Sequence, residues 1–339
     1  MVWCFTFVVL EAVQAVFFGG VFQRMDAFLI GSLVFGLTTA GAVSWTWVRY
    51  PEQISRAFAN RDALIGMNAS AAGGWIAYLV AIQIIEPAVA FTIFSGMVPL
   101  ATLLAARLGV TEASSARNRV EVFGYVLLAA GLVALVSITF AGLSGFIRGG
   151  IFVAAGGISL AVLSGALIAW MLFYCHRLDC AGVGPVAQFG LRFLFYIVLS
   201  LGGVALGLDA KGEVPVSDLA LAVLVGLLVM AFPIYAVQKA VTLVSPLTIG
   251  AVTALGPLFV FSFQVMEGRV EFAQATVFGL GIYFVGAAVA AFGSAQAVRP
   301  EAKVSGLSAT YIGTGKHDIA AAEDREIGRL RIDEFRSRG

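Results

Sequence analysis

Two ionisable residues stand inside apolar stretches where charge is expensive. Arg192 lies roughly eight to ten residues into the stretch 183–207, and Glu11 about ten residues into 2–22. At ~1.5 Å of helical rise per residue both sit ~12–15 Å deep. A guanidinium keeps its proton in any environment, and an intramembrane charge marks a functional site that needs a partner. Two chemistries are open. In one, Arg192 clamps an anionic group of a small-molecule substrate, and Glu11 takes up a coupling proton or binds a substrate amine. In the other, the two residues form a structural salt bridge that specifies packing between the first and seventh spans.

Aromatic and polar side chains at membrane depth extend the candidate set. Trp75 and Tyr78 in the third span, Trp170 in the sixth and Tyr235 in the eighth are candidate cavity walls. Gln188, with Gln14, Asn68, Gln83 and Gln264, adds uncharged polarity. Pro99 and Pro257, each followed by Leu, each interrupt a span. A proline removes a backbone bond, and the freed carbonyl is tolerated in a bilayer only where protein or a water-filled cavity satisfies it. Both are therefore read as cavity-shaping. Glu86, just before Pro87, is expected to complement a helix N-terminus and stay wet.

Other patterns carry no chemistry. Cys175, His176 and Cys180 lack a fourth metal ligand nearby. Gly313-Thr314-Gly315-Lys316 has Thr310 where a phosphate loop needs its first glycine. No hydrolase or metalloprotease motif occurs, so neither a metal, a cofactor nor a nucleotide is expected. Nucleic acid is not an expected partner either, because no basic patch with interleaved aromatics lies outside the C-terminal tail.

The elements that must position these residues are membrane spans. The chain has 339 residues, 60% hydrophobic and 12% charged, with a mean hydropathy of +0.95. A soluble domain is about 25% charged. Uncharged runs long enough to cross ~30 Å of hydrocarbon occur at 27–48, 63–85, 87–106, 122–147, 149–175, 219–238, 240–266 and 272–298. With the Glu11 and Arg192 stretches the expectation is ten spans in the lipid bilayer. Residues 299–339 hold 15 of the 41 charges and read as an aqueous tail. If the N-terminus is cytoplasmic, inside segments collect 16 basic residues and outside loops only Arg24, Arg148, Lys211 and Arg269. The positive-inside rule then places both termini in the cytoplasm.

The halves echo one another. Val122-Phe123-Gly124 followed by Gly131 matches Val277-Phe278-Gly279 followed by Gly286, and Pro87 and Pro99 match Pro246 and Pro257. A five-span unit repeated after an odd number of crossings lies upside down relative to its copy. The expected fold is an all-α integral membrane protein of ten transmembrane helices in two inverted repeats, 1–148 and 149–298, followed by the tail 299–339. Tyr78…Pro87…Pro99…Gly124…Gly131 and Tyr235…Pro246…Pro257…Glu267-Gly268-Arg269…Gly279…Gly286, with Arg192-Phe193, resemble the drug/metabolite transporter superfamily, EamA type. The first half lacks a clean copy of Glu-Gly-Arg, and Glu11 is not part of the general pattern. The resemblance implies a bacterial inner-membrane secondary transporter, an exporter of amino acids or related metabolites, and no enzyme. A receptor acting through the tail and an intramembrane enzyme are the alternatives. Deleting 299–339 separates the receptor from the transporter.

Overall fold

The computed structural model describes residues 2–113, 115–145, 147, 149–243, 255–268, 271–294 and 296, without the side chains of 4, 230–232 and 234–243. Its regular elements are all helices. They are α1 (Val2–Arg24), α2 (Ala27–Arg49), α3 (Pro51–Ala59), α4 (Arg61–Ile84), α5 (Pro87–Arg107) and α6 (Arg119–Phe140), followed by α7 (Ile151–Cys180), α8 (Pro185–Leu191), α9 (Leu194–Ala205), α10 (Val216–Leu243), α11 (Gly256–Met266) and α12 (Gln274–Ser294). Local chemistry sets the boundaries. Asp26 accepts hydrogen bonds from the Phe28 and Leu29 amides at 2.8 and 3.0 Å, opening α2. Proline occupies the first turn of α3, α5 and α8, where its missing N–H costs nothing. Helix α7 closes with a glycine turn: Gly182 adopts φ +79°, and the Val183 amide reaches back to the Leu178 carbonyl at 3.0 Å.

Among the described residues, eight helices are long and apolar enough to cross a membrane, counting α8 and α9 as one stretch, Pro185–Ala205. The part of α10 with described side chains, Val216–Val229, is apolar as well, and α11 is a shorter apolar helix of 11 residues. Large apolar residues cover the outside: Phe152 is 90% exposed and Leu206 76%. Water would penalise so extensive an apolar surface, whereas lipid matches it. Short α3, absent from the sequence expectation, turns Ile54 and Ala57 inward and keeps Glu52 and Arg56 at the surface, as an interfacial helix does.

Because lipid tails are as apolar as leucine, helices in a bilayer associate by close packing at small residues. The pair α6 and α12 follows this rule along its length. A Cβ on Gly124 would strike the Ala290 backbone, one on Gly131 the Tyr283 backbone, one on Gly286 the Leu128 backbone and one on Gly293 the Glu121 backbone. Gly279 faces the Leu135 side chain in the same descending order, so the two helices run antiparallel. Gly66, Gly73 and Gly74 on α4 face Tyr174, Leu167 and Ile168 of α7 in a second antiparallel crossing.

Loop contacts fall into two sets, one at each end of the bundle. At one end, Lys211 joins the α9–α10 loop to the α1–α2 turn and α4 through the Phe22 carbonyl (2.6 Å), Gln83 (3.0 Å) and Asp209 (2.5 Å). Glu86 lies at this same end. At the other, Gln53 of α3 accepts from the Gly184 amide at 2.9 Å, Arg177 meets Glu112 at 2.6 Å, and the Asn118 side chain donates to the Gly293 carbonyl at 2.6 Å.

Candidate intramembrane site

The stretch Pro185–Ala205 does not run as one helix. Helix α8 ends at Leu191, Arg192 and Phe193 form its break, and α9 restarts at Leu194. In an unbroken helix the Leu191 carbonyl would accept from the Phe195 amide. Here the Asn68 carboxamide of α4 stands between them. Its Nδ2 donates to the Leu191 carbonyl at 2.9 Å, and its Oδ1 accepts from the Phe195 amide at 3.2 Å. A third bond, to the Leu64 carbonyl at 3.0 Å, anchors Asn68 to its own helix. A side chain inserted into the ladder breaks a helix while leaving its polar groups satisfied.

At this break the Arg192 guanidinium lies 4.8 Å from the Phe189 ring centroid and 4.7 Å from that of Phe193. Its Nε is buried without a partner, and among the described residues no acceptor or carboxylate lies within bonding reach. Glu11 is likewise partly buried, and its Oε2 has no partner. The expected Arg192–Glu11 bridge is not formed: the ion pairs among the described residues are Arg177–Glu112 and Lys211–Asp209. The field of Glu11 instead reaches the hydroxyls of Tyr78 and Tyr283, and the Tyr78 hydroxyl is itself buried without a partner.

An aromatic array runs from the Arg192 break to Tyr78. Phe193 contacts Phe35 at 4.4 Å, Phe35 contacts Trp75 at 5.2 Å, Trp75 meets Tyr78 at 6.1 Å, and Tyr78 meets Phe94 at 4.9 Å. Of the expected cavity walls, Trp75 and Tyr78 stand in this array. Trp170 does not. It is 39% exposed, because its position on α7 faces outward, and it packs on Phe173 at 5.6 Å. Gln188 turns back to the Val183 carbonyl at 2.7 Å and seals the α7–α8 turn. The Tyr235 side chain, Pro246 and the tail 299–339 lie outside the described residues.

Pro99 is inside α5 and lines a cavity of 240 Å³ with Thr102, Glu121 and Tyr125. Pro257 occupies the first turn of α11, so it interrupts no described helix; Pro233, which the sequence reading passed over, does so in α10. A second cavity, of 530 Å³, opens near Lys211 between Phe28, Leu79, Gln83, Tyr196 and Asp209.

Glu86 departs most from expectation. It is 0% exposed and does not cap α5 with its own side chain. Its carboxylate accepts from the Gly145 amide at 2.9 Å, from Thr276 at 3.0 Å and from Gln264, and Gln264 in turn accepts from the Ala88 amide at 2.9 Å. The cap of α5 is thus supplied by α11, and Glu86 is a dry clamp joining the start of α5, the α6–α7 loop, α11 and α12. Sequence reasoning missed Thr276, Tyr283 and the ladder insertion of Asn68. Only the polar character of Asn68 within an uncharged run marked it.

No family model matches the chain, and no curated protein does. Among solved structures, a crystal structure whose description names no function is similar over 85% of this chain and 95% of its own, with a TM-score of 0.56 and 19% identity. The two share a fold.

Proposed function

We propose that the chain is a secondary transporter that moves a small metabolite across a membrane by alternating access. The observation that carries this reading is the pair of unpartnered charges, Arg192 and Glu11, inside a helical bundle. Two cation–π contacts return ~1–4 kcal/mol to Arg192. A charge at membrane depth costs at least ~2.5–3.5 kcal/mol, and the buried Nε–H donor remains without an acceptor. A structural role would have supplied a carboxylate; a transport role leaves the place for cargo.

The internal repeat supports the mechanism. Gly124 and Gly279, like Gly131 and Gly286, are 155 residues apart. The same shift carries the Gly124–Ala290 contact onto Gly279–Leu135, and Gly131–Tyr283 onto Gly286–Leu128, with the partners exchanged. An antiparallel pair that maps onto itself in this way is what inverted repeats place at their axis. In this reading, 1–148 and 149–298 are the two repeats of an EamA-type drug/metabolite transporter in a bacterial inner membrane, with both termini cytoplasmic and export as its direction. Arg192 holds an anionic substrate group, Trp75 and Tyr78 flank the path, and Glu11 carries a coupling proton or a substrate amine.

The test is untargeted metabolite profiling of the medium from cells that express wild type or Arg192→Ala at matched membrane levels. A compound enriched outside only with wild type is the expected result. Selective depletion reverses the direction to uptake. Identical profiles for every compound count against transport.

A further inference from the structure

We infer that Asn68 is a positioning residue for the anion subsite at Arg192, and that the substrate group held there is a carboxylate. The substrate part of the inference rests on the transporter reading; the coupling of Asn68 to Arg192 does not.

The argument starts from the helix ladder. Without Asn68 the Leu191 carbonyl and the Phe195 amide would bond to each other, and α8 would run straight into α9. The inserted carboxamide satisfies both groups from a neighbouring helix and so stabilises the break. Asn68 is 1% exposed, and its third bond fixes it to α4, so it has no freedom to leave. The Arg192 backbone still bonds to the Gln188 carbonyl at 3.1 Å, as the last turn of α8, while the Ile197 amide bonds to the Phe193 carbonyl at 2.9 Å and starts α9. Arg192 and Phe193 therefore belong to different helices. That division brings both the Phe189 and Phe193 rings against one guanidinium. Aromatic faces satisfy the flat surface of a guanidinium but not its N–H edge. The edge is planar and forked, which suits two parallel bonds to a carboxylate. A lysine in its place would act as a point charge without that selectivity.

Cys175 of α7 reports on this charge, because it packs on the same cluster as Leu191 and Leu194, the residues that flank the break. In the full chain carrying Cys4→Ser and Cys180→Ser, the labelling rate of Cys175 is measured with an anionic sulfonatoethyl and a cationic trimethylammonioethyl methanethiosulfonate. The anionic-to-cationic rate ratio is expected to fall on the order of tenfold in Arg192→Gln, as the loss of one nearby charge dictates. Asn68→Leu, which keeps the volume but cannot splice the ladder, is expected to fall by a similar factor with Arg192 intact. Combining it with Arg192→Gln should add nothing. Asn68→Ser, whose hydroxyl both donates and accepts, should recover part of the ratio and guards against a trivial folding defect. A wild-type ratio in Asn68→Leu, or in Arg192→Gln, overturns the inference. For a substrate found by profiling, Asn68→Leu should raise KM while leaving kcat near wild type, and the amide analogue of that substrate should not compete. Competition by the amide rules out the carboxylate assignment. If the labelling ratios behave as expected but no compound is exported or taken up, the transport reading fails and the Asn68–Arg192 coupling stands.

Discussion

A carboxylate sealed from solvent needs donors for its lone pairs, and Glu86 finds three of them on elements distant in sequence. Glu86→Gln keeps the shape but turns an amide N–H₂ either toward the Gln264 amide at Oε1 or toward Gly145 and Thr276, which share Oε2. Thr276 can rotate its hydroxyl to accept, whereas the Gly145 amide cannot. A buried donor left without an acceptor costs about 2 kcal/mol, so Glu86→Gln should lower unfolding stability by about that amount in a denaturant titration in detergent. Thr276→Val should cost less, because it removes one donor and strands nothing. The pair Arg177–Glu112, whose arginine is half exposed and whose carboxylate is partly buried, behaves differently. The Arg177 hydrogen bond depresses the Glu112 carboxyl to a pKa of about 2. A group depressed on folding stabilises fully above its unfolded pKa, near 4.5, and loses that contribution as pH falls toward 2. The unfolding midpoint of wild type should therefore drop more steeply between pH 4.5 and 2 than that of Glu112→Gln. Equal slopes would mean the pair contributes nothing in solution.

Helix α6 meets α12 through glycines that leave no room for a side chain. Gly131→Ala would drive a methyl group into the Tyr283 backbone, and overpacking of this kind costs about 1–3 kcal/mol. Gly281→Ala, one helix over and facing open space, should cost nothing and gain helix propensity. Unfolding midpoints of the two variants in one detergent separate the effects, and equal losses would contradict the antiparallel register. The glycines of this crossing were legible in the sequence as a repeated Val-Phe-Gly…Gly pattern, but nothing in that pattern said that its two copies pack on each other. Eight spans were legible because hydrocarbon penalises charge, so a helix of a bilayer protein is written as a long apolar run with few charges. The polar contacts were not. Glu86 reads locally as a cap, and its true partners Thr276 and Gln264 lie on α12 and α11; nothing in local sequence pairs residues so far apart. Arg192 and Glu11 were found because charge is conspicuous in an apolar run, but the absence of a bridge between them depends on where α1 and α9 stand in three dimensions. Asn68 is a single amide, and its effect is exerted on a helix more than a hundred residues away.

The bundle is tied by different chemistry at its two ends, and this bears on how the molecule moves. At one end lie the Glu86 clamp and the Lys211 knot, whose ammonium sits at the carbonyl end of α1, where the helix dipole favours a cation. At the other end Asn118 and Glu121 hold α12 to α6, Gln53 holds α3 to the α7–α8 turn, and Arg177 holds α7 to Glu112 after α5. Alternating access requires the α9–α10 loop to leave the α1–α2 turn at some point in the cycle, because the Lys211 knot spans elements of both proposed repeats. Asp209 accepts from the Ala27 amide at 2.8 Å, which puts the two residues close enough to bridge. Ala27→Cys with Asp209→Cys, in a chain with Cys4, Cys175 and Cys180 changed to serine, should therefore form a disulfide on mild oxidation. Transport of the compound found by profiling should stop when the bridge forms and return on reduction, while either single cysteine variant continues to transport under oxidant. Undiminished transport with the bridge demonstrably closed would show that this end never opens, and would confine any passage of substrate to a path that leaves α1, α2 and the α9–α10 loop together.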